Sequence, residues 1–410
     1  MKILIISQYF WPEEFRINDV ATALQEADHE VTVLTGIPNY PKGQFFKGYS
    51  FFGPWAECFG GVKILRVPLF PRGDGGGARL ALNYLSFVFW GCILAPFRVR
   101  GTFDVILVYQ LSPVTVGLPA IFLKWIKKAP IVFWVQDLWP ESLSATGAIR
   151  FSMVLAVVGK LVRYIYSRCT LILVQSMAFI GPVLKMGVPG KKIQYMPNAT
   201  ETLYKPLSLP VDAPERESLP SGFKIMFAGN IGVAQDFETI ISAAEALRGE
   251  TDVKFVILGE GRARSCAERR VNKLGLSENV IFLGRWPAEA MPGFFSLADA
   301  LLVTLKKEPI FSFTIPSKVQ SYMACAKPII AALDGEGARV IKESGAGFVV
   351  PAGNSAELAD AILRLKVLSP IMRAEMGAFG LKYYEANFER GRLIRKLEET
   401  LVRVVYEKND

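Results

Sequence analysis

Two series of short apolar runs, each parted from the next by a helix-like stretch, constrain this chain more than anything else in it. The first series is Lys2–Ile6, Val31–Leu34, Lys63–Val67, Val105–Tyr109, Ile131–Gln136 and Leu171–Val174. The second is Lys224–Ala228, Lys254–Leu258, Val280–Leu283, Ala300–Val303, Ile329–Leu333 and Gly347–Val350. Strand-like runs alternating with helical stretches such as Asn18–Ala27 and Thr115–Lys127 give the α/β pattern of a parallel sheet. Between the series, Tyr204–Gly222 carries Pro206, Pro210, Pro214 and Pro220 among Ser, Glu and Asp, and reads as a linker. The expected organisation is a domain over 1–203, the linker 204–222, a second domain over 223–380, and helices over 381–410 that cross back to the first domain. A length of 410 residues suits two or three domains.

Several chemistries are excluded. The only histidine, His29, rules out a His dyad and a His-built metal site, and reads as a structural turn residue. The five cysteines, Cys58, Cys92, Cys169, Cys266 and Cys325, form no C-x-x-C pair and fit ordinary thiols of a reduced compartment. The first strand leads into Ser7-Gln8-Tyr9-Phe10-Trp11-Pro12, which lacks the G-x-G-x-x-G of a nicotinamide-binding turn. Met1–Ile6 reads as a buried strand, too short for a signal peptide.

The net charge of +9 is unevenly spread. Between Gly60 and Gly101, Lys63, Arg66, Arg72, Arg79, Arg98 and Arg100 face only Asp74. Inside that window Leu80–Phe97 carries no charge, and a second run, Phe151–Tyr166, sets Lys160 and Arg163 among apolar and aromatic residues. Such segments suit the interface of an anionic membrane; the other reading is two core helices. No nucleic-acid-binding motif occurs, so no nucleic-acid partner is expected.

The segment Ile315–Val340 packs two phosphate-handling devices together. Pro316-Ser317-Lys318 opens a helix-like run, with Ser317 as N-cap and Lys318 in the first turn, where N–H groups and dipole favour an anion. The apolar run Ile329–Leu333 then enters Gly335-Glu336-Gly337, whose backbone can approach a phosphate closely. Further glycine turns follow strands at Gly229-Asn230-Ile231-Gly232, Gly259-Glu260-Gly261 and Gly284-Arg285. Ligands bind at the carboxyl ends of strands in open α/β sheets, so these loops suit a nucleotide.

These residues, in this order, resemble the second domain of family 4 glycosyltransferases of GT-B architecture, and the likeness spans nearly the whole chain. The family's A-M-A-x-G-K-P-V-V-A run stands here as Tyr322–Ala331, and its G-H-E-V-T-V strand as Asp28–Val33. The run Val135–Ser142, V-Q-D-L-W-P-E-S, together with P-S-K, resembles the branch of L-fucosamine transferases of O-antigen, capsule and exopolysaccharide assembly. The resemblance implies an α/β fold of two Rossmann-like doubly wound domains facing a central cleft. It implies a UDP-sugar donor, with N-acetyl-L-fucosamine the suggested sugar, and a polyprenyl-diphosphate-linked GlcNAc-type acceptor on the cytoplasmic leaflet. Other readings are a UDP-sugar 2-epimerase or a non-catalytic nucleotide-sugar binder at the membrane.

The sequence departs from the family pattern at charged positions. The two usual glutamates stand as Phe313 and Ser321, the usual Arg and Lys of the first nucleotide loop as Asn230 and Gln235, and the usual His-Asp pair as Gln136-Asp137. Lys318 and Arg339 are expected to replace the lost cations, beside Gly335, Glu336 through its backbone, and Gly337. Gly229, Asn230, Gly232, Gly259, Pro316, Ser317 and Ser321 complete the donor side. Gly284, Arg285 and Trp286 are the candidate base pocket, though Trp286 also suits a packed loop aromatic. On the acceptor side stand Trp11, Arg16, Asn18, Gln136 and Glu141, with Asp137 and Glu14 as candidate general bases. No Asp-x-Asp occurs, which points to a metal-free route without cofactor.

Overall fold

A computed structural model describes residues 1–145 and 151–407. The chain divides into two compact units, Met1–Asn198 with Leu393–Asp410, and Ala199–Arg392.

The first unit holds β1 (Lys2–Ile6), β2 (Glu30–Gly36), β3 (Ala56–Phe59), β4 (Val62–Val67), β5 (Val105–Gln110), β6 (Ile131–Val135), β7 (Leu171–Val174) and β8 (Ile193–Tyr195). They form one sheet in the order β3-β4-β2-β1-β5-β6-β7-β8, parallel except for the β3–β4 pair. Strands β5 and β6 are buried along their whole length. Helices cover both faces of such a sheet, so its central strands are apolar throughout. The two strands that sequence pattern did not reveal lie at the edges. The strand β3 is half-exposed and antiparallel, and β8 is three residues long.

The second unit holds β9 (Phe223–Ala228), β10 (Val253–Leu258), β11 (Val280–Gly284), β12 (Ala300–Thr304), β13 (Ile329–Ala332) and β14 (Gly347–Val350). The order is β11-β10-β9-β12-β13-β14, all parallel. Alternate side chains of β9 serve opposite cores: Ile225 and Phe227 pack on one face, Met226 and Ala228 on the other. Each fully buried Ile, Leu or Phe contributes about 1.5–3 kcal/mol by leaving water.

Both sheets reverse direction beside their first strand, between β1 and β5 and between β9 and β12. Pairing of β9 with β12 stops at Met226 and Leu301, so their carboxyl ends part.

The boundaries differ from the expected ones. Tyr204–Gly222 belongs to the second unit: it contains the helix Pro214–Glu217, and Tyr204 stacks on Phe295 with ring centroids 6.0 Å apart. The helix Pro370–Asn387 also belongs there, because Tyr384 and Phe388 join the core around Met323. Only from Leu393, within the last helix Arg390–Tyr406, does the chain count with the first unit. There Lys396 donates to the Tyr195 carbonyl at 3.1 Å, and His29 Nε2 meets Glu398 at 3.1 Å. His29 thus serves the structure.

Three helices of the first unit lie side by side: Gly77–Arg98, Gly117–Lys127 and Ser152–Arg168. The first is long and apolar enough to cross a membrane by length and composition. Its inner face is mixed, however. Asn83 and Ser86 are buried there beside Phe87, Gly91 and Ala95, while Leu82, Leu85, Phe89, Ile93 and Phe97 face outward. Phe122, Trp125 and Ile126 of the middle helix, and Met153, Val154 and Val157 of the third, are exposed as well, Trp125 by 80%. Not all of the expected basic window reaches the surface. Arg66 is fully buried, ion-paired to Glu57 and donating to the Gly36 carbonyl at 2.9 Å.

Candidate active site

The carboxyl edge of the second sheet is built from loops stitched together by backbone hydrogen bonds. Gly229 donates to Leu258 at 2.8 Å, Gly259 to Gly284 at 2.7 Å, and Ile231 to Glu260 at 2.8 Å. Gly259, at φ +137°, lies so close to the next loop that a Cβ would sit 1.9 Å from the Gly229 carbonyl oxygen. Gly335, at φ +69°, opens the helix Gly335–Ser344, and a Cβ there would meet the Ser312 carbonyl at 2.1 Å. The glycine turns therefore share one edge, and two helices, Ser317–Ala324 and Gly335–Ser344, begin on it.

Lys318 sits where β9 and β12 part. Its Nζ lies 3.4 Å from the centroid of the Phe227 ring and donates to Gln235 Oε1 at 3.2 Å. Its Cε would lie 2.9 Å from a Cβ on Gly229, so the bare glycine makes room for the lysine. Desolvation lowers its pKa to about 7. A cation deprived of water, with one neutral hydrogen-bond partner, is held ready for an anion.

The neighbouring residues depart from expectation in two respects. Pro316 occupies the cap position, and Ser317 is the exposed first residue of its helix with no capping bond. Arg339 is not offered to a phosphate. Its Nε and Nη2 donate to the buried Glu336 carboxylate at 3.0 and 2.7 Å, and Nη1 pairs with Glu343. Both carboxylates pull its pKa up. It lines a cavity of about 440 Å³ with Lys342, Val350 and Pro351, on the β14 side of its helix. The spacing Glu336–Arg339–Glu343 was the available signal, since residues three and four apart meet on a helix.

The remaining donor-side residues are placed as follows. The exposed Asn230 side chain lies beside Gly232 and Gly261. Ser321, nearly buried, bonds the Ser317 carbonyl and Thr200 Oγ1, each at 3.2 Å. Gly337 lets its helix pack against Pro316. Gly284 ends β11 and Arg285 is exposed, whereas Trp286 packs edge-on against Phe294 at 4.8 Å.

The first sheet's carboxyl edge is of another kind. Asp137, after β6, accepts from the Trp139 indole at 3.2 Å and faces Ser112 and Ser142, yet burial dominates and raises its pKa. Tyr84 of the helix Gly77–Arg98 faces Ser112 and Asp137, with its ring 6.2 Å from that of Trp139. Gln136 accepts from Asn198 at 2.7 Å. Glutamines stand at or just beyond the ends of β1, β5, β6 and β7, as Gln8, Gln110, Gln136 and Gln175. That repeated Gln was legible in the sequence as a lining signal.

Several expected acceptor residues brace the loop instead. The Trp11 N–H donates to Asn18 Oδ1 at 3.1 Å, Asn18 Nδ2 donates to the Glu13 carbonyl at 2.7 Å, and Trp11 stacks on Phe59 at 5.0 Å. Arg16 is half-buried at the start of its helix. Glu141 lines a narrow recess with Tyr166, Pro182 and Met186. Glu14 is exposed, while its neighbour Glu13 is the buried carboxylate. Glu13 accepts the N–H groups of Asn39 and Tyr40 at 2.7 Å and of Phe10 at 3.2 Å. Burial nevertheless raises its pKa to about 7.

Two α/β units, each reversing strand order at a loop-lined carboxyl edge, define a GT-B glycosyltransferase fold. Family models bear this out along most of the chain. Residues 14–199 match the "Glycosyl transferase 4-like domain", and residues 222–366 match "Glycosyl transferases group 1". The chain belongs to this glycosyltransferase family. It is 25% identical over 336 residues to an Escherichia coli (strain K12) protein named as the colanic acid biosynthesis glycosyl transferase WcaI, covering 79% of this chain and 81% of that one. It is 27% identical over 315 residues to a Pseudomonas aeruginosa protein named as the glycosyltransferase WbjE, covering 74% of each. Among solved structures, Anabaena Alr3699/HepE in complex with UDP superposes with a TM-score of 0.71 at 17% identity, covering 98% of this chain and all of the other.

Proposed function

We propose that this glycosyltransferase moves a sugar from a UDP-sugar to a polyprenyl-diphosphate-linked GlcNAc-type acceptor, in the assembly of a bacterial surface polysaccharide. The observation that carries this reading is Lys318, desolvated at the reversal of the second sheet among glycine loops and two helix starts. The UDP in the structural neighbour HepE and the polysaccharide name of WcaI support it. The proposed donor sugar is N-acetyl-L-fucosamine.

In the proposed reaction the bond from the sugar's anomeric carbon to the β-phosphate oxygen breaks, and the acceptor hydroxyl oxygen forms the new bond. Lys318 and the N–H groups at Gly335–Gly337 take up the charge gathering on the departing UDP. Asp137 receives the hydroxyl proton, for which a carboxylate of raised pKa is suited. No metal is required in this scheme, because Lys318 and the helix starts supply the positive potential.

The enzyme works on the inner face of the cytoplasmic membrane. The exposed apolar side chains of three adjacent helices would enter the interface of an anionic bilayer. Lys124, Lys127, Lys160 and Arg163 stand on the same helices and can meet its headgroups. The test is incubation of the purified protein with UDP-sugars and a GlcNAc-diphosphate-lipid analogue. A disaccharide product supports the reading. Interconversion of the UDP-sugar alone would make the protein an epimerase, and UDP binding without product would make it a binder.

A further inference from the structure

We infer that Arg72 and Arg79 form the subsite for the acceptor's diphosphate, at the amino-terminal end of the helix Gly77–Arg98. The inference rests on the transferase reading above and locates a part of the acceptor site that the sequence did not reveal.

Arg72 lies on the first sheet's polar rim. Its backbone N–H donates to the buried Asn39 Oδ1 at 3.1 Å, and its guanidinium lies 5.0 Å from the centroid of the Tyr40 ring. It is within electrostatic reach of both Tyr9 and Tyr84. Arg79 is exposed and lays its guanidinium over Gly73. Among the described residues neither arginine meets a carboxylate, unlike the paired Arg66, Arg264 and Arg339. Two guanidinium groups beside an aromatic rim, both without a counter-ion, suit an anion with several oxygens.

The second observation concerns the same rim. Buried polar atoms of a folded protein are nearly all hydrogen-bonded. Here Gln8 Oε1, Gln110 Oε1 and Gln136 Nε2 are buried without a protein partner among the described residues. All three follow or end β1, β5 and β6, on the edge that carries Asp137. Unspent donors and acceptors gathered at one edge fit a ligand rich in hydroxyl groups.

The helix Gly77–Arg98 orders these parts. Tyr84 turns inward to Trp139 and Asp137, while Leu82 and Leu85 face outward. Sugar, diphosphate and hydrocarbon would then meet the polar rim, the arginine pair and the outer apolar face. That is the order of groups in a lipid-diphosphate-linked sugar.

The test uses the double variant Arg72→Gln/Arg79→Gln and two soluble acceptors with the same sugar and the same short isoprenoid chain, one joined through a diphosphate and one through a neutral ether. The double variant removes two charge-assisted contacts, so kcat/KM on the diphosphate acceptor should fall about 100-fold or more. Turnover of the ether acceptor and the Kd for UDP should stay unchanged. Equal loss on both acceptors, or no loss on either, overturns the inference while leaving the transferase reading intact. A wild-type protein that makes no product from either acceptor removes both.

Discussion

The two sheets present the same edge to chemistry and equip it in opposite ways. On the second sheet the loops are glycine-rich, and one desolvated lysine sits where the strands part. On the first, the loops carry glutamines, tyrosines and buried carboxyl groups. Backbone N–H groups and one cation suit a diphosphate, whose charge is fixed and whose shape is simple. A rim of neutral donors, acceptors and proton-hungry carboxylates suits hydroxyl groups, one of which must lose a proton. The fold supplies the reversal point twice, and the side chains decide which half of a transfer reaction each rim can serve.

The comparison breaks most readily at Lys318. Lys318→Ala should lower kcat/KM on the order of 10²–10³-fold and weaken UDP binding, as loss of one donor to a developing charge does elsewhere. Asp137→Asn should cost a similar factor in kcat while leaving the Kd for UDP alone. If both variants lose UDP, or neither does, the two rims do not divide the work. A calorimetric signature sharpens the point. Lys318 loses its proton above about pH 7, and an anion beside it restores the charge. UDP binding at pH 8 should therefore take up a proton, and affinity should fall as pH rises. The alanine variant should show no uptake, measured in buffers of different ionisation enthalpy.

Gly259→Ala probes the glycine loops. The residue would be strained at φ +137°, and its Cβ would press on the Gly229 carbonyl. A cost of about 1–3 kcal/mol is expected. It should appear as a lower unfolding midpoint that UDP no longer raises fully. An unchanged midpoint with full UDP stabilisation would mean that those loops do not need to touch.

Glu13 tests the opposite rim. Its pKa is raised in the folded chain to about 7 from 4.5. The folded state then binds the proton more tightly than the unfolded one, so the stability it contributes is full below about pH 4.5 and lost as pH rises to about 7. Chemical denaturation should show this fall, at most about 3 kcal/mol, and Glu13→Gln should flatten it. A slope unchanged in the variant would assign the titration to another group.

Much of the scaffold was legible because β-branched apolar runs of four to six residues, punctuated by glycine, leave few alternatives. The strands β3 and β8 escaped because an edge strand needs no continuous apolar run. The loop-lined rim of the second sheet was legible through its glycines. What Arg339 does was not, because sequence shows a cation and only the helix geometry shows two carboxylates already holding it. Glu13 and Glu14 are indistinguishable as neighbouring letters. The turn after β1 buries one against three N–H groups and leaves the other in water. Arg66 misled the charge count for the same reason: its environment, not its type, removes it from the surface.

The smallest expected effect concerns the membrane, and it too separates the units. The first unit carries the three-helix face, with Trp125 and Phe151 largely exposed beside Lys124 and Lys160. Bound to anionic vesicles, the protein should be released in part by raised salt, because the Debye length shrinks from about 10 Å at 0.1 M to about 3 Å at 1 M. The remainder should stay bound through buried apolar area, which salt does not screen. Replacing Trp125 by Ser should then make release by salt nearly complete, while Lys124→Gln/Lys160→Gln should lower binding at low salt and leave the salt-resistant part. The reverse pattern, or equal binding to neutral and anionic vesicles, would mean that the exposed face meets something other than a charged bilayer.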